Sequence, residues 1–268
     1  MKSHLVTSCL VLPLLAGGVA QAQAQAQDGD RDGLRLSLGV AGVYRPEFKG
    51  SKDYELKPLP FVGLRYGRGD YYVALEGGAL RANVLPGRLE FGPIVSYERG
   101  RKDDVKNLAV RRLGEIDAAV NAGVFARKRF DVGGGTLGIR AEAMTDTGKV
   151  HKGVLATVGV DYDRQLTDRW SVGANLSTTW ADKKYMGTYY GVTPAGALAS
   201  GLSPYVAAAG VENVEVGASL RYRISDRWSA LAHGSYSRLV DSAADSSIVA
   251  REGSANQGQV VFALLYSF

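Results

Sequence analysis

The sequence predicts an all-β protein: a transmembrane antiparallel up-and-down β-barrel of about twelve strands, with about ten as the alternative. Three observations predict this fold. Alternating apolar and polar segments recur over residues 34–268, at the length of about nine to eleven residues that a tilted membrane-spanning strand requires. The start of the chain resembles a secretory signal, and its last segment is an apolar strand that ends on an aromatic residue. With 34 Gly, 14 Tyr and only 8 Pro, the composition favours strands and turns over helices.

Residues 1–26 have the organisation of a cleaved signal peptide. Lys2 gives a positive start, and an apolar stretch follows over 5–20. Overlapping small-x-small cleavage sites end at Ala22, Ala24 and Ala26. A membrane-anchoring helix is the alternative, but the stretch is short and is interrupted by polar, glycine and proline residues. We therefore expect a secreted chain that reaches the cell outer membrane.

Cleavage at any of these sites would remove Cys9, the only cysteine. The mature chain would then have no disulfide, no cysteine metal ligand and no cysteine nucleophile. The formal net charge of +5 for the whole chain is a mild basic excess. It suits a surface that faces phosphates or sugar acids, and it is too weak to indicate nucleic-acid binding.

After a short periplasmic segment over 27–33, the barrel is expected to occupy 34–268. Eleven segments fit the strand pattern: 34–44, 56–66, 70–82, 88–99, 115–128, 136–145, 153–164, 169–181, 213–224, 227–238 and 258–268. A barrel with both termini in the periplasm needs an even number of strands. Either a further strand lies within 183–211, or one of the eleven does not span the membrane. We expect twelve strands.

The last strand carries alternate apolar side chains on one face, ending with Tyr266 and Phe268. In a closed barrel the last strand pairs with the first, so these two residues are expected to support barrel closure and membrane insertion. Aromatic residues concentrate at strand ends, as expected for a girdle at the lipid headgroups. The expected interfacial anchors are Trp170, Trp180, Trp228 and Tyr44.

A near-repeat supports the topology. Thr167-Asp168-Arg169-Trp170-Ser171 and Ser225-Asp226-Arg227-Trp228-Ser229 each join two alternating segments. We expect the aspartate to bond to its own turn backbone and the tryptophan to enter the membrane interface. Both pentapeptides resemble short periplasmic turns, and the long connections over 182–212 and 239–257 would then lie on the opposite rim.

Charged residues of both signs occupy positions predicted to face the barrel lumen. They are Arg140, Glu142, Glu215, Arg221 and Arg223. A dry soluble core would not accept them, whereas a barrel interior can. We favour a salt-bridged, largely closed interior over a charged channel lining, because a barrel of this size leaves little more room than its side chains fill.

Several motifs, taken in order, resemble the MltA-interacting protein family (MipA/OmpV) of Gram-negative outer membranes. They are Tyr44-Arg45-Pro46-Glu47-Phe48-Lys49-Gly50-Ser51, Lys57-Pro58-Leu59-Pro60, Arg65-Tyr66-Gly67-Arg68, Gly148-Lys149-Val150-His151-Lys152-Gly153, Ala181-Asp182-Lys183-Lys184-Tyr185-Met186, Tyr190-Gly191-Val192-Thr193, Ser200-Gly201-Leu202 and the run 241–257. Ser247 departs from the proline expected there. The resemblance implies a non-enzymatic outer-membrane barrel that acts as a scaffold for murein-processing or other envelope machinery, and it implies no catalytic residues.

Two other function classes stay open. The charged lumen motivates a narrow pore or small-solute transporter. An envelope hydrolase would need a polar site, and the candidates are weak: the histidines His151 and His233, with Asp146, Thr145, Thr147, Asp241, Asp245 and Ser246 nearby in sequence. No serine lies in a nucleophile-elbow pattern, and a lone histidine is more often a plain hydrogen-bonding residue than a general base.

No cofactor or metal site is expected, because no acidic run has calcium-loop spacing. A basic cluster surrounds one connection and consists of Arg99, Arg101, Lys102, Arg111 and Arg112. It is interpreted either as a site for lipopolysaccharide phosphates or as a plain solvated loop. The expected partners are therefore outer-membrane lipids, including lipopolysaccharide, and murein-processing enzymes. The sequence does not determine the oligomeric state.

Overall fold

The structure is a computed structural model and describes residues 32–268. The expected signal peptide at 1–26, and most of the segment 27–33, lie outside the described residues. Twelve antiparallel strands form one closed barrel in which each strand pairs with its sequence neighbours and β1 pairs with β12. The predicted fold class and strand number are confirmed.

The strands are β1 Gly33–Pro46, β2 Tyr54–Arg68, β3 Tyr71–Glu76, β4 Ala79–Asn83, β5 Leu89–Glu98, β6 Ala119–Val132, β7 Gly135–Asp146, β8 Val154–Gln165, β9 Trp170–Ala181, β10 Gly210–Arg223, β11 Trp228–Leu239 and β12 Asn256–Ser267. Short helices occupy the long connections: α1 Leu108–Arg111, α2 Lys183–Tyr190, α3 Pro194–Ser200, α4 Asp241–Ala244 and α5 Ser247–Glu252. None of the helices in the described part of the chain is long and apolar enough to cross a membrane.

The twelfth strand does not come from 183–211. The single segment predicted at 70–82 is two short strands, β3 and β4, joined by Gly77 and Gly78. Both glycines have positive φ, 55° and 81°, as a two-residue hairpin with strand-matched twist requires. The tight turn leaves apolar residues on both sides, so the segment reads as one continuous strand in the sequence.

Residues 183–211 instead contain α2 and α3. Asp182 caps α2 by accepting from the backbone N–H groups of Lys184 and Tyr185, and Thr193 caps α3, which has proline in its first turn. Gly201 ends α3 in the left-handed conformation at φ 78°. These helix signals explain why no strand forms there.

The barrel has two unlike rims. The turn rim carries the short connections 69–70, 84–88, 133–134, 166–169 and 224–227, with β1 beginning and β12 ending there. The loop rim carries 47–53, 99–118, 147–153, 182–209 and 240–255. This asymmetry is typical of outer-membrane barrels, in which the short turns face the periplasm.

The wall presents apolar side chains outward, and its interior is divided between apolar and charged sectors. Val40, Phe262 and Leu264 are among the large apolar residues exposed on the outer face. Inside, β1, β2, β11 and β12 contribute a buried apolar cluster: Ala41, Val43, Phe61, Leu231, Val261, Ala263 and Leu265. Charged side chains on β4 to β8 occupy the opposite side of the interior. The lumen therefore has apolar packing on one side and ion pairs on the other.

Candidate functional site: the capped interior and the two rims

The loops of the loop rim fold over the barrel and form a cap, defined by the five loop-rim connections given above. Two buried apolar clusters hold it. One joins Tyr185, Met186, Tyr189 and Tyr190 of α2 to strand ends and α4, and the other joins Phe48, Val105, Val110, Leu202 and Ile248 from four different loops. Because segments far apart in sequence share these clusters, the cap is a packed structure with its own core.

A cavity of about 360 Å³ lies in the barrel beneath the cap. Apolar side chains, among them Phe48, Phe125 and Met144, line part of it. Polar and charged residues line the rest, and the charged ones are Lys49, Glu76, Arg81, Glu90, Glu98, Arg99, Arg127, Arg140, Glu142, Glu212 and Glu215. The volume is at the lower end of ordinary small-ligand pockets.

A buried polar cluster joins the cap to the barrel at the roof of this cavity. Lys49 Nζ lies 3.0 Å from Glu212 Oε1 and 3.3 Å from Glu98 Oε1. Tyr190 donates its hydroxyl to Glu212 Oε1 at 2.7 Å, and Tyr185 does so at 3.3 Å. The Lys49 ammonium also lies 5.2 Å from the centre of the Tyr185 ring. The Glu212 carboxylate thus contacts Lys49, Tyr185 and Tyr190, which come from two segments of the cap.

Electrostatics favour the charged form of Lys49. Burial alone would lower its pKa, but the carboxylates of Glu212 and Glu98 hold that pKa well above the ordinary value.

The sequence indicated only part of this cluster. Lys49, Tyr185 and Tyr190 lie within the family motifs but had no predicted role, and Glu212 was not predicted. Glu212 is only 1% exposed. Glu212 lies beside Asn213 near the start of β10, and no local pattern in the sequence marks it.

Ion pairs form the floor of the cavity. Asp161 pairs with Arg127 and, at 3.5 Å, with Arg140. Arg81 Nη2 lies 2.8 Å from Glu142 Oε1. Nearer the turn rim, Glu90 lies 3.0 Å from Arg129 and accepts the Tyr72 hydroxyl at 2.7 Å, while Arg65 stacks on the Tyr72 ring. The charged side of the interior is therefore cross-linked from strand to strand.

The structure separates the predicted lumen residues. Arg140, Glu142 and Glu215 line the cavity. Arg221 lies deeper, opposite Leu231 of β11, and two of its side-chain nitrogens are buried without a hydrogen-bond partner among the described residues. Arg223 is different: it is exposed at the turn rim, where its Nη2 donates to the Asp168 carbonyl. Its position as the last residue of β10 explains why it belongs to the rim and not to the lumen.

The predicted interfacial aromatics lie on the outer face at the two rims. At the turn rim, Trp170 packs on Tyr222 at 4.5 Å between ring centres, and Trp228 packs on Tyr266 at 5.1 Å. At the loop rim, Tyr44 stacks on Tyr54 at 5.0 Å. Trp180 is 42% exposed at the end of β9 on the same rim. Their function as membrane anchors stays a prediction.

The repeated turns use one bonding scheme, and it differs from the expected one. Thr167 Oγ1 accepts from the backbone N–H groups of Arg169 and Trp170, at 3.2 and 3.1 Å. Ser225 Oγ accepts likewise from Arg227 and Trp228, at 3.4 and 3.2 Å. The expected aspartate contact was wrong, because the hydroxyl at the first position of the turn is the acceptor.

The turn rim is basic. Its exposed basic side chains are Arg68, Arg88, Lys128, Arg164, Arg169, Arg223 and Arg227. The exposed acidic ones are Asp32, Asp131, Asp168 and Asp226. Two of the arginines are held at the interface, since Arg169 donates to the Tyr222 hydroxyl at 3.4 Å and Arg227 to the Tyr266 hydroxyl at 3.1 Å. The excess of positive charge suits an anionic surface.

The basic cluster around 99–118 lies on the loop rim. Some of its side chains bond to backbone carbonyls of the loop, and others are exposed. Arg101 is buried and donates to the Gly114 carbonyl at 3.3 Å, and burial lowers its pKa to about 10. Arg111 donates to the Val105 carbonyl at 3.0 Å. Lys102 and Arg112 are exposed. Part of the cluster therefore builds the loop, and part faces the exterior.

The candidate hydrolase residues are engaged in local structure. His151 is buried: its Nδ1 accepts from the Gly153 N–H at 3.1 Å, so its Nε2 donates to Asn121 Oδ1 at 2.8 Å. Asp146 accepts from the backbone N–H groups of its own loop. The hydroxyls of Thr145, Thr147 and Ser246 each donate to a backbone carbonyl. His233 is 2% exposed in the interior, far from these groups along its strand.

The described residues contain no group of three or more His, Cys, Asp or Glu placed to hold a metal ion. Several acidic cavity residues are instead paired with arginine or lysine, among them Glu212 with Lys49 and Glu142 with Arg81. These charged groups cross-link the strands of the interior and join the cap to the barrel.

Comparisons with known proteins agree with this architecture. The family model described as "MltA-interacting protein MipA" matches residues 38–268. Among curated proteins, none matches the chain. Similar solved structures include the outer-membrane protein OmpT of Vibrio cholerae, with 8% identity, a TM-score of 0.41 and coverage of 90% of this chain and 99% of that one.

Two other solved structures are also similar to this chain. The CymD monoaromatic hydrocarbon channel has 12% identity and a TM-score of 0.42, with 89% of this chain and 88% of that chain covered. The translocator domain of the autotransporter NalP from Neisseria meningitidis has 13% identity and a TM-score of 0.40, with 93% and 92% covered. At these TM-scores the resemblance carries no argument about function. The family match covers nearly all of the described barrel, so the chain belongs to the MltA-interacting protein family and is an outer-membrane β-barrel.

Proposed function

We propose that this protein is a non-enzymatic scaffold of the outer membrane that holds envelope machinery at its periplasmic face. The observation that carries the proposal is the obstructed interior: an apolar cluster and cross-linked ion pairs occupy much of the lumen, and a packed cap covers it. An interior obstructed in this way favours contacts at the barrel surfaces over conduction of solutes. The family name, which refers to interaction with the murein enzyme MltA, supports the same class of partner.

The turn rim is the proposed docking surface. Its exposed arginines lie at strand ends and on short turns, and the turns that carry Arg169 and Arg227 are fixed by internal hydrogen bonds, so these charges are presented in a set arrangement. Such a surface suits an acidic patch on a murein-processing enzyme, and interactions of this kind weaken with salt. Rigid presentation also lowers the entropic cost of association.

The test is a pull-down of murein-processing enzymes from envelope extract by the purified barrel. Reversing rim charge with Arg164→Glu, Arg169→Glu and Arg227→Glu should reduce capture by about tenfold or more, as should raising the salt concentration. A matched control reverses exposed charge on the loop rim with Lys102→Glu and Arg112→Glu. Equal capture by the rim variant and the parent protein would contradict the proposal.

A narrow pore is the second candidate, and the charged cavity beneath the cap favours it. Single-channel recording in planar bilayers separates the two. The scaffold predicts a silent protein. Reproducible conductance that shifts its ion selectivity in a Glu215→Lys variant would establish the pore and displace the scaffold as the primary function.

The exposed part of the basic cluster on the loop rim is a further proposed contact. Lys102 and Arg112 would face lipopolysaccharide phosphates in the outer leaflet, which bind paired cations well. This contact would orient the barrel in the membrane and leaves the scaffold function unchanged.

A further inference from the structure

The barrel wall has a gap on one side. β3 and β4 are only six and five residues long. Pairing of β2 with β3 ends at Leu64 and Leu75, and pairing of β4 with β5 ends at Ala79 and Ser96. β2 continues to Tyr54 without a neighbouring strand on that side. We call this opening, between the free part of β2 and the end of β5 above the Gly77–Gly78 turn, the notch.

The notch lies at the level of the outer leaflet. Leu56, near its top, pairs with Tyr44, whose ring stacks on Tyr54 in the loop-rim aromatic set. At its bottom, Leu75 pairs with Leu80 at the tip of the β3–β4 hairpin, and Leu80 is 43% exposed on the outer face. The opening thus spans the apolar belt from the hairpin tip up to the headgroup level.

Two prolines adapt the free edge to lipid. The backbone N–H of Phe268 donates to the Leu36 carbonyl. Hydrogen bonds alternate along a strand, so the backbone groups of even-numbered β1 residues bond to β12, and those of odd-numbered β1 residues bond to β2. By the same alternation, the even-numbered residues of β2 point their backbone groups into the notch. These include Pro58 and Pro60, which have no N–H. The edge therefore exposes fewer unsatisfied donors to lipid and is a poor template for an added strand.

The interior behind the notch is amphipathic. The cavity reaches its lower border at Gly77 and its β5 border at Tyr97 and Arg99. Immediately inside, β4 to β7 contribute an apolar patch made of Ala79, Ile94, Phe125 and Met144. An alkyl chain that passed through the notch would meet this patch first.

The upper border of the notch is cationic. Arg99 spans it, donating to Glu55 Oε1 at 3.3 Å and to the Pro46 carbonyl at 3.2 Å. Lys57 lies 3.5 Å from Glu55, and Lys106 lies 3.2 Å from Glu47, with side chains 51% and 63% exposed. With Arg45, which also pairs with Glu55, four cations face two carboxylates. The excess is positive, and the two lysine side chains are exposed to solvent.

We propose that the notch is a lateral portal for a single-chain amphiphile of the outer leaflet with an anionic head. The alkyl chain enters the notch and packs on the apolar patch, while its carboxylate or phosphate head binds Lys57 and Lys106 at the upper border. The cavity of about 360 Å³ admits one chain end and excludes a multi-acyl lipid. This binding site is independent of the scaffold function at the opposite rim.

The test uses the full barrel in lipid nanodiscs and diazirine-bearing chain probes. Three probes of equal chain length carry a carboxylate, a lysophosphatidate or an uncharged alcohol head. After illumination, the labelled residues are mapped by peptide mass spectrometry. We expect the two anionic probes to label Phe125 or Met144 inside the barrel, and the alcohol probe to label them about tenfold less. The preferred head, carboxylate or phosphate, identifies the source as a fatty acid or a lysophospholipid.

A matched pair of variants checks the head-group contact. Lys57→Glu with Lys106→Glu should reduce interior labelling about tenfold. Lys183→Glu with Lys184→Glu, which alters exposed lysines of α2, should leave it unchanged. Heat-modifiable gel migration verifies that both variants are folded. Labelling confined to lipid-facing residues, or equal labelling by all three probes, would overturn the proposal.

Discussion

Contacts between individual side chains determine the structure of the cap to a greater extent than the structure of the barrel wall. Lys49 and Glu212 are 163 positions apart, and their contact closes the cavity from above. A buried charge is stable only when its partner and hydrogen bonds are all present, because the desolvation cost is large. The single Glu212 carboxylate satisfies Lys49, Tyr185 and Tyr190 together. Its loss would leave the partly buried Lys49 ammonium with Glu98 as its ion-pair partner.

Replacing Glu212 with glutamine should loosen the cap. The variant keeps the shape of the side chain and removes the charge, so we expect the cap to lose about 3 kcal/mol of local stability. Limited proteolysis of 182–209 should accelerate, while the barrel still migrates as a folded species on a gel. Glu215→Gln, another acid of the cavity wall, is the control. Unchanged proteolysis in Glu212→Gln would show that the apolar clusters alone hold the cap.

His151 should make its loop sensitive to acid. Burial lowers the pKa of His151, and the neighbouring carboxylate of Asp146 opposes this only in part. Protonation would place a hydrogen on Nδ1 and break its bond from the Gly153 N–H. With a folded pKa below the unfolded one, the stabilisation is fully present above pH of about 6.5 and is lost as the pH falls through the folded pKa.

The measurement is protease sensitivity of the loop 147–153 between pH 7.5 and 5. The parent protein should be cut faster at the acid end. His151→Asn should reduce this pH dependence, since the amide does not titrate, and His233→Asn serves as the control in the barrel interior. A pH profile that is identical in all three proteins would contradict the assignment.

At the scale of elements, the short turns determine how strands leave the membrane interface. In both repeated turns a hydroxyl accepts two backbone N–H groups, and the tryptophan that follows packs on a tyrosine of the next strand. The same arrangement occurs twice because the same residue types occupy the same positions. The hydroxyl contacts are local in sequence, whereas the ring contacts join residues of adjacent strands.

Removing the turn hydroxyl should therefore have a measurable cost. Thr167→Ala leaves two turn N–H groups without their acceptor and should lower the free energy of unfolding by about 1 kcal/mol. Urea titration in detergent micelles, followed by tryptophan fluorescence, provides the measurement. Thr167→Ser retains the hydroxyl and should behave as the parent protein. If alanine and serine variants unfold alike, water replaces the hydroxyl without cost.

The β3–β4 hairpin shows where reading elements from sequence fails. Alternation over 70–82 predicts one strand, whereas the chain reverses at Gly77 and Gly78. A two-residue turn is too short to interrupt the apolar pattern, so only the glycine pair signals it. The helices within 183–211 were missed for a related reason: their lengths of eight and seven residues are too short for a helical period to stand out.

At the scale of the whole molecule, closure depends on the pairing of β1 with β12. Leu38 pairs with Tyr266, the hydroxyls of Ser37 and Ser267 lie 3.0 Å apart, and Phe268 N–H donates to Leu36. A closed ladder leaves no strand edge there, which is why barrels of this kind resist detergent. The native form should migrate faster on a gel until it is boiled.

Deleting Phe268 should impair insertion into the outer membrane. The deletion removes the last bond of the closing ladder and the ring contact with Tyr266, whose centres are 4.9 Å apart. The outer-membrane fraction and its heat-modifiable band should both decrease. Phe262→Ala, which removes another exposed ring from the same face of β12, should insert normally. Full insertion of the deletion variant would contradict this function of the residue.

The sequence by itself determined the class of fold and the apolar outer face, because both depend on a period of two along every strand. The even strand number followed from the rule for barrels with both termini in the periplasm, since the pattern itself shows eleven segments. The family motifs determined membership, because they too are local in sequence. Only the tertiary structure decided that Lys49 meets Glu212, that Arg223 lies outside the lumen and that β2 has a free edge. These features depend on register and on loop packing between segments far apart in sequence, and no local pattern encodes them.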